Sequence, residues 1–516
     1  MAPPGLTVAD PSLVSAIGES PGALPVDRPN IVDLSLAPHG PWPTVGDIGL
    51  SLAVLALHIA LTNSFYGTIA GICGGLLAAL FVLVTARYLR TRPNRLPWLE
   101  IIFGVHYVQF GLPVLAEPCP AKVQGQIPMP ESQDSAAAIA LFAGLALIAA
   151  FAVTRWASRG LKFDNLFPKL DPTTLASGAR IYVPIAAAFV MLSAVFPGIH
   201  VVLRPVLGII SAFFWHNQLM VVATAAYLAL PNRGTMFLML GAWTTMAVQL
   251  AISSSLSELC IPLIAVAALW WRARERLPVA AIAVVATVMI ILQPVKTHYR
   301  SLRWVDNADI GVMEAWSQAF STAAAEAHSG YGSLEAGYRH EGVQATVDRL
   351  NGLAGLAYTI EMVPAVVPYT GGMIYPMMIA AWTPRILWPN KPDMTKYALD
   401  PFVIALNIVT PDEAETTTTA ISLPAQGYLE HGIPGSIGWM SLFGVVLGLI
   451  SRYYGTKLAG TVAGTVLLAG WILASEGGFY NVFGSLWQSL VATPLLTWLL
   501  WILGRGNRSR EIPLLT

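Results

Sequence analysis

The sequence predicts an all-α polytopic membrane protein with about twelve transmembrane helices. Of its 516 residues 55% are hydrophobic and only 11% are charged, and the mean hydropathy is +0.61. A soluble protein of this length carries about 25% charged residues. Apolar runs near 20 residues recur along the chain, and that is the length needed to cross a hydrocarbon core about 30 Å thick. The basic residues, moreover, fall in alternate loops.

The first 46 residues differ in composition from the rest of the chain. They are rich in Pro, Gly, Ala and Ser and lack a basic segment followed by an apolar one, so we expect a disordered cytoplasmic tail rather than a signal peptide. The three cysteines, Cys73, Cys119 and Cys260, are too few and too scattered for a disulfide framework or a metal cluster. The net charge of zero says nothing about partners, because the positions of the charges matter more than their sum.

Apolar segments bounded by charged residues, Pro or Gly define the predicted spans. They are 47–63, 66–86, 98–116, 136–155, 181–197, 201–230, 235–252, 258–271, 278–294, 436–451, 458–475 and 484–504. The sixth is long enough to be one tilted helix or two short ones. Spans one to nine therefore occupy 47–294 and spans ten to twelve occupy 436–504, with 505–516 as a cytoplasmic tail.

The distribution of Lys and Arg predicts the orientation. Eighteen of them lie in alternate connections or the final tail: 87–97, 155–180, 233, 272–276, 452–457 and 505–510. The short loops between these hold one, Lys122. The membrane potential and the anionic inner leaflet retain cations in the cytoplasm, so the basic connections and both termini are predicted to be cytoplasmic.

The connection 295–435 is predicted to be a folded periplasmic lid, because a structureless loop of about 140 residues is unusual. Met313–His328 is Ala-rich and helix-prone. Apolar residues at helical spacing (Val343, Val347, Leu350, Ala354 and Ala357) predict another helix. The apolar run Gly371–Trp382 has only about 12 residues, which favours an interfacial or re-entrant element over a span.

A basic, Pro-rich segment, "WTPRILWPNKPDMTK" (Trp382–Lys396), follows that run. The guanidinium fork of arginine matches phosphate oxygens, and lysine adds a compact charge. The candidate anion-binding residues of the lid are Arg300, Arg303, Arg339, His340, Arg349, Arg385 and Lys391, and Trp388 beside them could stack on a sugar ring. For each basic residue the alternative is that it anchors the chain at the membrane surface and contacts no ligand.

A second candidate cluster lies at 416–432, "TTTTAISLPAQGYLEHG". Glu430 or His431 could act as a general base toward a sugar hydroxyl. The alternative for Glu430 is a structural one, in which its charge neutralises the start of a membrane helix. The sequence leaves both open.

Several nucleotide- and metal-binding patterns are absent from the sequence. We find no Walker A loop, HExxH, G-x-S-x-G, CxxC or Asp-x-Asp. ATP-driven or nucleotide-sugar chemistry is therefore not indicated, and we expect no metal, no other cofactor and no nucleic-acid partner.

The segment "PRILWPNKPD" (Pro384–Asp393), preceded by "VPYTGGMIYPMMIAAW" and followed by "DEAETTTTAISLPAQGYLEHGIPGSIG", resembles the Wzy-type O-antigen and exopolysaccharide polymerases. The resemblance covers roughly residues 345–450. These enzymes carry a Pro-Arg-apolar-Leu-Trp-Pro-x-Lys-Pro box, then a Thr/Ser-rich turn and a glutamate-bearing entry to a membrane helix. Their glutamate segment usually reads Glu-Phe-Tyr-x-Asn-Phe-Gly, whereas this chain has "GYLEHGIPG", so Glu430 or Gln426 takes the equivalent place.

The resemblance implies a C-type glycosyltransferase architecture in a bacterial inner membrane. It implies that oligosaccharide repeats on undecaprenyl diphosphate are joined at the periplasmic face, without a metal. Arg385, Lys391 and Arg349 would hold the diphosphate, and Glu430 or His431 would act on the acceptor. Expected partners are the lipid-linked oligosaccharide, the bilayer, a chain-length regulator and a flippase. The alternatives are an O-antigen ligase, a twelve-span transporter or lipid-linked oligosaccharide flippase, and a non-catalytic export scaffold.

Overall fold

The structure is a computed structural model that describes part of the chain. The described stretches are 43–91, 95–116, 131–161, 166–195, 216–253, 256–274, 310–329, 351–383, 421–454, 457–476 and 486–508, with isolated positions between them that include 387–388, 390–391 and 482–483. Within these stretches the secondary structure is helical and contains no β-strand. The predicted all-α class is confirmed for the described residues.

The α-helices, in chain order, have the following bounds. They are α1 (Val45–Leu61), α2 (Thr68–Thr91), α3 (Trp98–Phe110), α4 (Gln133–Ala157), α5 (Pro172–Val195), α6 (His216–Ala229), α7 (Arg233–Ser253), α8 (Leu256–Arg274), α9 (Val312–Ser329), α10 (Gly352–Met362), α11 (Ile374–Trp382), α12 (Leu423–His431), α13 (Ile433–Tyr453), α14 (Leu458–Glu476) and α15 (Leu486–Arg508). Short 3₁₀ helices follow α3 (Leu112–Leu115) and α4 (Ser158–Gly160).

Six of these helices are long and apolar enough to cross a membrane, counting only the described residues. They lie in α2, α4, α5, α7, α13 and α15, and shorter apolar helices lie in α1, α6 and α14. Several apolar helices could thus span a membrane, as the composition predicts. The predicted span 278–294 and the first half of 201–230 fall outside the described stretches, and the count of twelve stays a prediction.

Helices α4 and α13 pack together along most of their length. Gly444 and Gly448 sit one turn apart on α13 and allow the close approach. A Cβ at Gly444 would lie 2.5 Å from the Leu147 carbonyl oxygen, and one at Gly448 would lie 2.9 Å from the Cβ of Thr154. Small residues at this spacing are how membrane helices bring their backbones into contact.

Parts of the basic segments lie at one end of the described helices, which we call the basic end. Arg155, in the last turn of α4, donates to the carbonyl and hydroxyl of Ser451 near the end of α13. The Arg95 guanidinium lies over the ring of Tyr88 at 4.9 Å, and Tyr88 packs edge-on against Trp271 near the end of α8. The ends of α4 and α13 thus meet, as do the end of α2 and the end of α8.

One of these arginines is not a surface charge. Arg95 forms two hydrogen bonds with the Glu100 carboxylate, at 2.7 and 3.0 Å, and both side chains are largely buried. Glu100 lies in the first turn of α3, where a negative charge is favoured by the helix dipole. Arg95 thus fixes the turn between α2 and α3 as well as adding to the charge of that end.

The connection 295–435 has helices where the described residues reach it. The helix predicted at Met313–His328 is confirmed as α9, and the Trp316 indole donates to the carbonyl of Ala251 at the end of α7. The second predicted helix is wrong in its extent. It cannot run through Asn351, because the Asn351 side chain caps α10 by accepting from the Ala354 N–H and its ψ of 83° is not helical.

Candidate functional site

Helix α12 is a nine-residue element that folds back along the first turns of α13. Ser422 occupies its N-cap and Pro424 its first turn, where a missing N–H is harmless. The helix ends at His431 because Gly432 adopts φ 66° and ψ −149°, a conformation that is essentially restricted to glycine. The chain reverses at Gly432 and enters α13 immediately.

Two contacts hold α12 against α13. The backbones of Gly427 and Gly435 touch, and a Cβ at Gly427 would lie 2.6 Å from the Gly435 carbonyl oxygen. The buried Ser436 hydroxyl donates to the carbonyl of Pro424 at 2.7 Å. Since α12 is seated by backbone contacts rather than by long side chains, its position beside α13 is fixed.

A buried polar stripe runs along α12. Ser422, Gln426 and Glu430 are spaced four residues apart, which places them on one face, and they are 8%, 0% and 0% exposed. The Ser422 hydroxyl and the Oε1 atom of Glu430 have no hydrogen-bond partner among the described residues. Both places left open for the glutamate of the polymerase pattern, Gln426 and Glu430, lie on this stripe.

Glu430 is tied to the turn 370–372. Its Oε2 atom accepts a hydrogen bond from the Gly372 N–H at 2.6 Å. The Thr370 N–H donates to the Leu429 carbonyl at 3.0 Å, and the Gly371 N–H donates to the Glu430 carbonyl at 3.3 Å. The turn therefore caps the C-terminal end of α12, with Gly371 at φ 59° and Gly372 at φ 93°.

The structural alternative for Glu430 was wrong in its location. Glu430 does not lie at the start of a membrane helix; it lies in the last turn of α12, where the helix dipole disfavours a negative charge. The hydrogen bond from Gly372 supplies the local compensation for this. Glu430 is thus a link between α12 and the turn 370–372.

His431, the next residue, is exposed and lies among aromatic side chains. Its Nε2 atom is 3.4 Å from the Tyr375 hydroxyl, and the two rings are nearly parallel, with centroids 6.5 Å apart. Tyr375 also contacts Trp439 of α13 at 5.8 Å between centroids. We call His431 with Tyr369, Tyr375, Tyr428 and Trp439 the aromatic corner.

The other half of the aromatic corner is a tyrosine pair. The rings of Tyr369 and Tyr428 lie 6.3 Å apart. Burial, followed by the hydroxyl of Tyr369, raises the pKa of Tyr428, which therefore keeps its proton. A Cβ at Gly432 would lie 3.1 Å from the Tyr369 hydroxyl, so the lack of a side chain at Gly432 leaves room for the Tyr369 ring. The corner presents rings and hydroxyl groups.

The basic segment after α11 is described in part. Trp382 donates from its indole N–H to the Phe483 carbonyl at 2.9 Å. Lys391, only 8% exposed, donates from Nζ to the Thr383 carbonyl at 3.0 Å. Trp388 accepts a hydrogen bond from the Lys391 N–H and is 37% exposed. The segment is therefore closed into a loop by Lys391.

Of the predicted site residues, Glu430 and His431 lie at the C-terminal end of α12. Lys391 and Trp388 lie on the loop after α11. The remaining predicted residues lie outside the described residues: Arg300, Arg303, Arg339, His340, Arg349 and Arg385. The part of the chain that is described contains no group of three His, Cys, Asp or Glu side chains able to hold a metal ion.

Sequence reasoning missed Gly372, Tyr375 and Trp439. The first two belong to the apolar run that predicted an interfacial or re-entrant element, and Trp439 belongs to a predicted span, so none of the three was named as a candidate site residue. The paired glycines Gly371–Gly372 were the available signal, because two consecutive glycines favour a turn with positive φ.

The family model for a domain of unknown function, DUF8712, matches residues 176–499. The chain belongs to the DUF8712 family. The DUF8712 match begins within α5 and ends within α15, so it contains α11, α12 and the whole aromatic corner. Comparisons with curated proteins and with solved structures gave no match.

Proposed function

We propose that this DUF8712 protein is a membrane-embedded glycosyltransferase. In this proposal it joins oligosaccharide repeats carried on undecaprenyl diphosphate into a surface polysaccharide, at the periplasmic face of the bacterial inner membrane. The observation that carries the proposal is the position of His431. An exposed imidazole among rings and hydroxyl groups suits an acceptor sugar, which needs both a stacking surface and a base.

The choice of base follows from accessibility. His431 is exposed, whereas Glu430 is 0% exposed and engaged with Gly372. A general base must come within hydrogen-bond reach of the proton it removes. We therefore assign the base to His431, which was one of the two residues that the sequence left open.

The transfer step has simple requirements. The acceptor hydroxyl oxygen forms a bond to the anomeric carbon of the donor glycan, and its proton passes to His431. The bond between that carbon and the diphosphate oxygen breaks, and its electron pair leaves with the lipid diphosphate. Cationic side chains stabilise this departing charge.

The proposed cations are those of the lid segment. Arg385 comes first, since it lies between Thr383 and Lys391 in the chain, on the loop that Lys391 closes. Arg349, Arg339, His340, Arg300 and Arg303 are further proposed contacts of the diphosphate. Trp388, partly exposed on the same loop, is proposed to contact the substrate.

Deletion of the gene in its native host tests the proposed function. We expect single-repeat glycolipid to accumulate on undecaprenyl diphosphate at the periplasmic face, and long surface polymer to disappear. Accumulation confined to the inner leaflet would instead indicate a flippase. Normal-length polymer that stays on its lipid carrier would indicate a ligase.

Point variants test the residues in the same assay. His431→Ala and Arg385→Ala should each abolish long polymer while the protein still inserts in the membrane at normal levels. His39→Ala, at a histidine outside the DUF8712 match, is the control and should leave chain length unchanged. Polymer of normal length in the His431 variant would remove this residue from the reaction.

A further inference from the structure

We propose that Glu430 is a positioning residue, which acts on His431 through the backbone of Gly372 and the ring of Tyr375. The effect of Glu430 on catalysis rests on the proposed function. The contacts that join Glu430 to His431 do not depend on it. Glu430 and His431 are neighbours in sequence, but on a helix consecutive side chains diverge by about 100°. The connection between them therefore runs outside the helix, in three contacts.

The first contact joins Glu430 to Gly372. The hydrogen bond from the Gly372 N–H to Oε2 is short, at 2.6 Å, and it is buried. A charge-assisted bond of this kind is stronger than one between neutral groups. Because the Gly371 N–H and the Thr370 N–H bind the carbonyls of α12 alongside it, the turn is held at three successive residues.

The second contact joins Gly372 to Tyr375. The Tyr375 ring lies directly against the Cα of Gly372, and a Cβ at this position would collide with the ring edge. The Tyr375 N–H also donates to the Gly372 carbonyl at 3.0 Å. The absence of a side chain at residue 372 is thus what allows the ring to lie there.

The third contact joins Tyr375 to His431, with 3.4 Å between the hydroxyl and Nε2. Imidazole has one N–H and one acceptor nitrogen when neutral, and the partner of one nitrogen decides the role of the other. The Tyr375 hydroxyl can donate to Nε2 or accept from it, and in both cases the contact orients the imidazole ring. The proposal requires the arrangement in which Nε2–H donates to the hydroxyl, because Nδ1 is then left as the acceptor of the sugar proton.

Glutamine at residue 430 separates this role from direct catalysis. In Glu430→Gln the amide oxygen can still accept from Gly372, so we expect most polymerisation to remain. Glu430→Ala removes the acceptor and should lose polymer. A glutamine variant as inactive as the alanine variant would overturn the proposal. That result would mean that the reaction needs the carboxylate of Glu430 itself, and not only an acceptor for the Gly372 N–H.

The two glycines offer a matched pair for the second contact. Both have positive φ, so alanine strains the backbone at either one. Only at Gly372 would the new Cβ meet the Tyr375 ring, since nothing lies within 4 Å of a Cβ at Gly371. Gly372→Ala should therefore lose polymer, and Gly371→Ala should keep it. Equal effects of the two would contradict the second contact.

A chemical readout tests the contacts independently of any activity. The probe is diethyl pyrocarbonate, applied to the purified full chain, with modification of His431 followed by mass spectrometry. Loss of the Tyr375 hydrogen bond should speed His431 modification about fivefold in Tyr375→Phe, Glu430→Ala and Gly372→Ala. Glu430→Gln and Gly371→Ala should match the wild type.

This readout also separates the two possible failures. Faster modification in the three variants, without any polymerase activity in the wild type, would support the contacts and remove the proposed function. Unchanged modification in Glu430→Ala and Gly372→Ala would overturn the positioning role, whatever the activity.

Discussion

Lys391 donates a hydrogen bond from its ammonium group to the main-chain carbonyl of Thr383, at 3.0 Å, and closes a loop of the chain that contains Arg385. The lysine is only 8% exposed. A residue predicted to hold a diphosphate therefore has a structural contact of its own. This gives Lys391 a role in shaping the loop whether or not it also touches an anion.

The first prediction concerns this lysine. Lys391→Ala should lower the free energy of unfolding by about 1.5–3 kcal/mol, the usual contribution of a hydrogen bond from a charged group. Thermal unfolding of the purified protein in detergent measures the change. Lys169→Ala, at an exposed lysine, is the control and should leave the melting temperature nearly unchanged. Equal melting temperatures for the two variants would contradict a structural role for Lys391.

The second prediction concerns the buried ion pair of Arg95 and Glu100. Glu100→Ala leaves the Arg95 guanidinium without its two hydrogen bonds to the carboxylate, beside the rings of Tyr88 and Phe151. Removing one partner of a buried pair costs about 3–5 kcal/mol. We expect a large drop in melting temperature and low expression.

The matched control for the ion pair is Glu131→Ala, at an exposed carboxylate. This substitution should change stability by less than about 0.5 kcal/mol. If Glu100→Ala is tolerated as well as Glu131→Ala, the pair does not fix the turn between α2 and α3.

The long helices could be predicted from the sequence because hydropathy is a local property. The predicted spans 136–155, 235–252 and 436–451 all fall within α4, α7 and α13. In each, a run of apolar residues is bounded by charged or helix-breaking residues, and a membrane helix satisfies its own backbone hydrogen bonds without any neighbour.

The aromatic corner could not be predicted in the same way, because it depends on contacts between distant segments. Tyr375 and His431 are 56 residues apart, and no pattern within either segment indicates the other. Helix α12 was also not predicted, since Glu430 was interpreted as lying at the start of a membrane helix. Its place beside α13 depends on backbone contact between Gly427 and Gly435.

The third prediction concerns the packing of α4 against α13. Gly444→Ala places a Cβ against the Leu147 carbonyl oxygen, so the helices must separate, and overpacking of this kind costs about 1–3 kcal/mol. Gly438→Ala, on the same helix with nothing within 4 Å of its Cβ, is the control. Unfolding in detergent should show a loss for Gly444→Ala and no loss for Gly438→Ala. The reverse order would contradict the close approach of the two helices.

The fourth prediction concerns the orientation of the site, and it uses the two ends of α4. Near its first residue the Ser132 N–H donates to Glu361 of α10, and near its last Arg155 donates to Ser451. Single cysteines at Glu131 and Gly160, both exposed, report these ends in a protein without its native cysteines. A membrane-impermeant maleimide applied to intact spheroplasts should label only the Glu131→Cys variant, because the distribution of Lys and Arg predicts that the basic end is cytoplasmic. Gly160→Cys should react after permeabilisation. The opposite labelling pattern would show that the orientation is inverted, with the end of α4 near Glu361 in the cytoplasm. Glycan transfer at the periplasmic face could then not take place there.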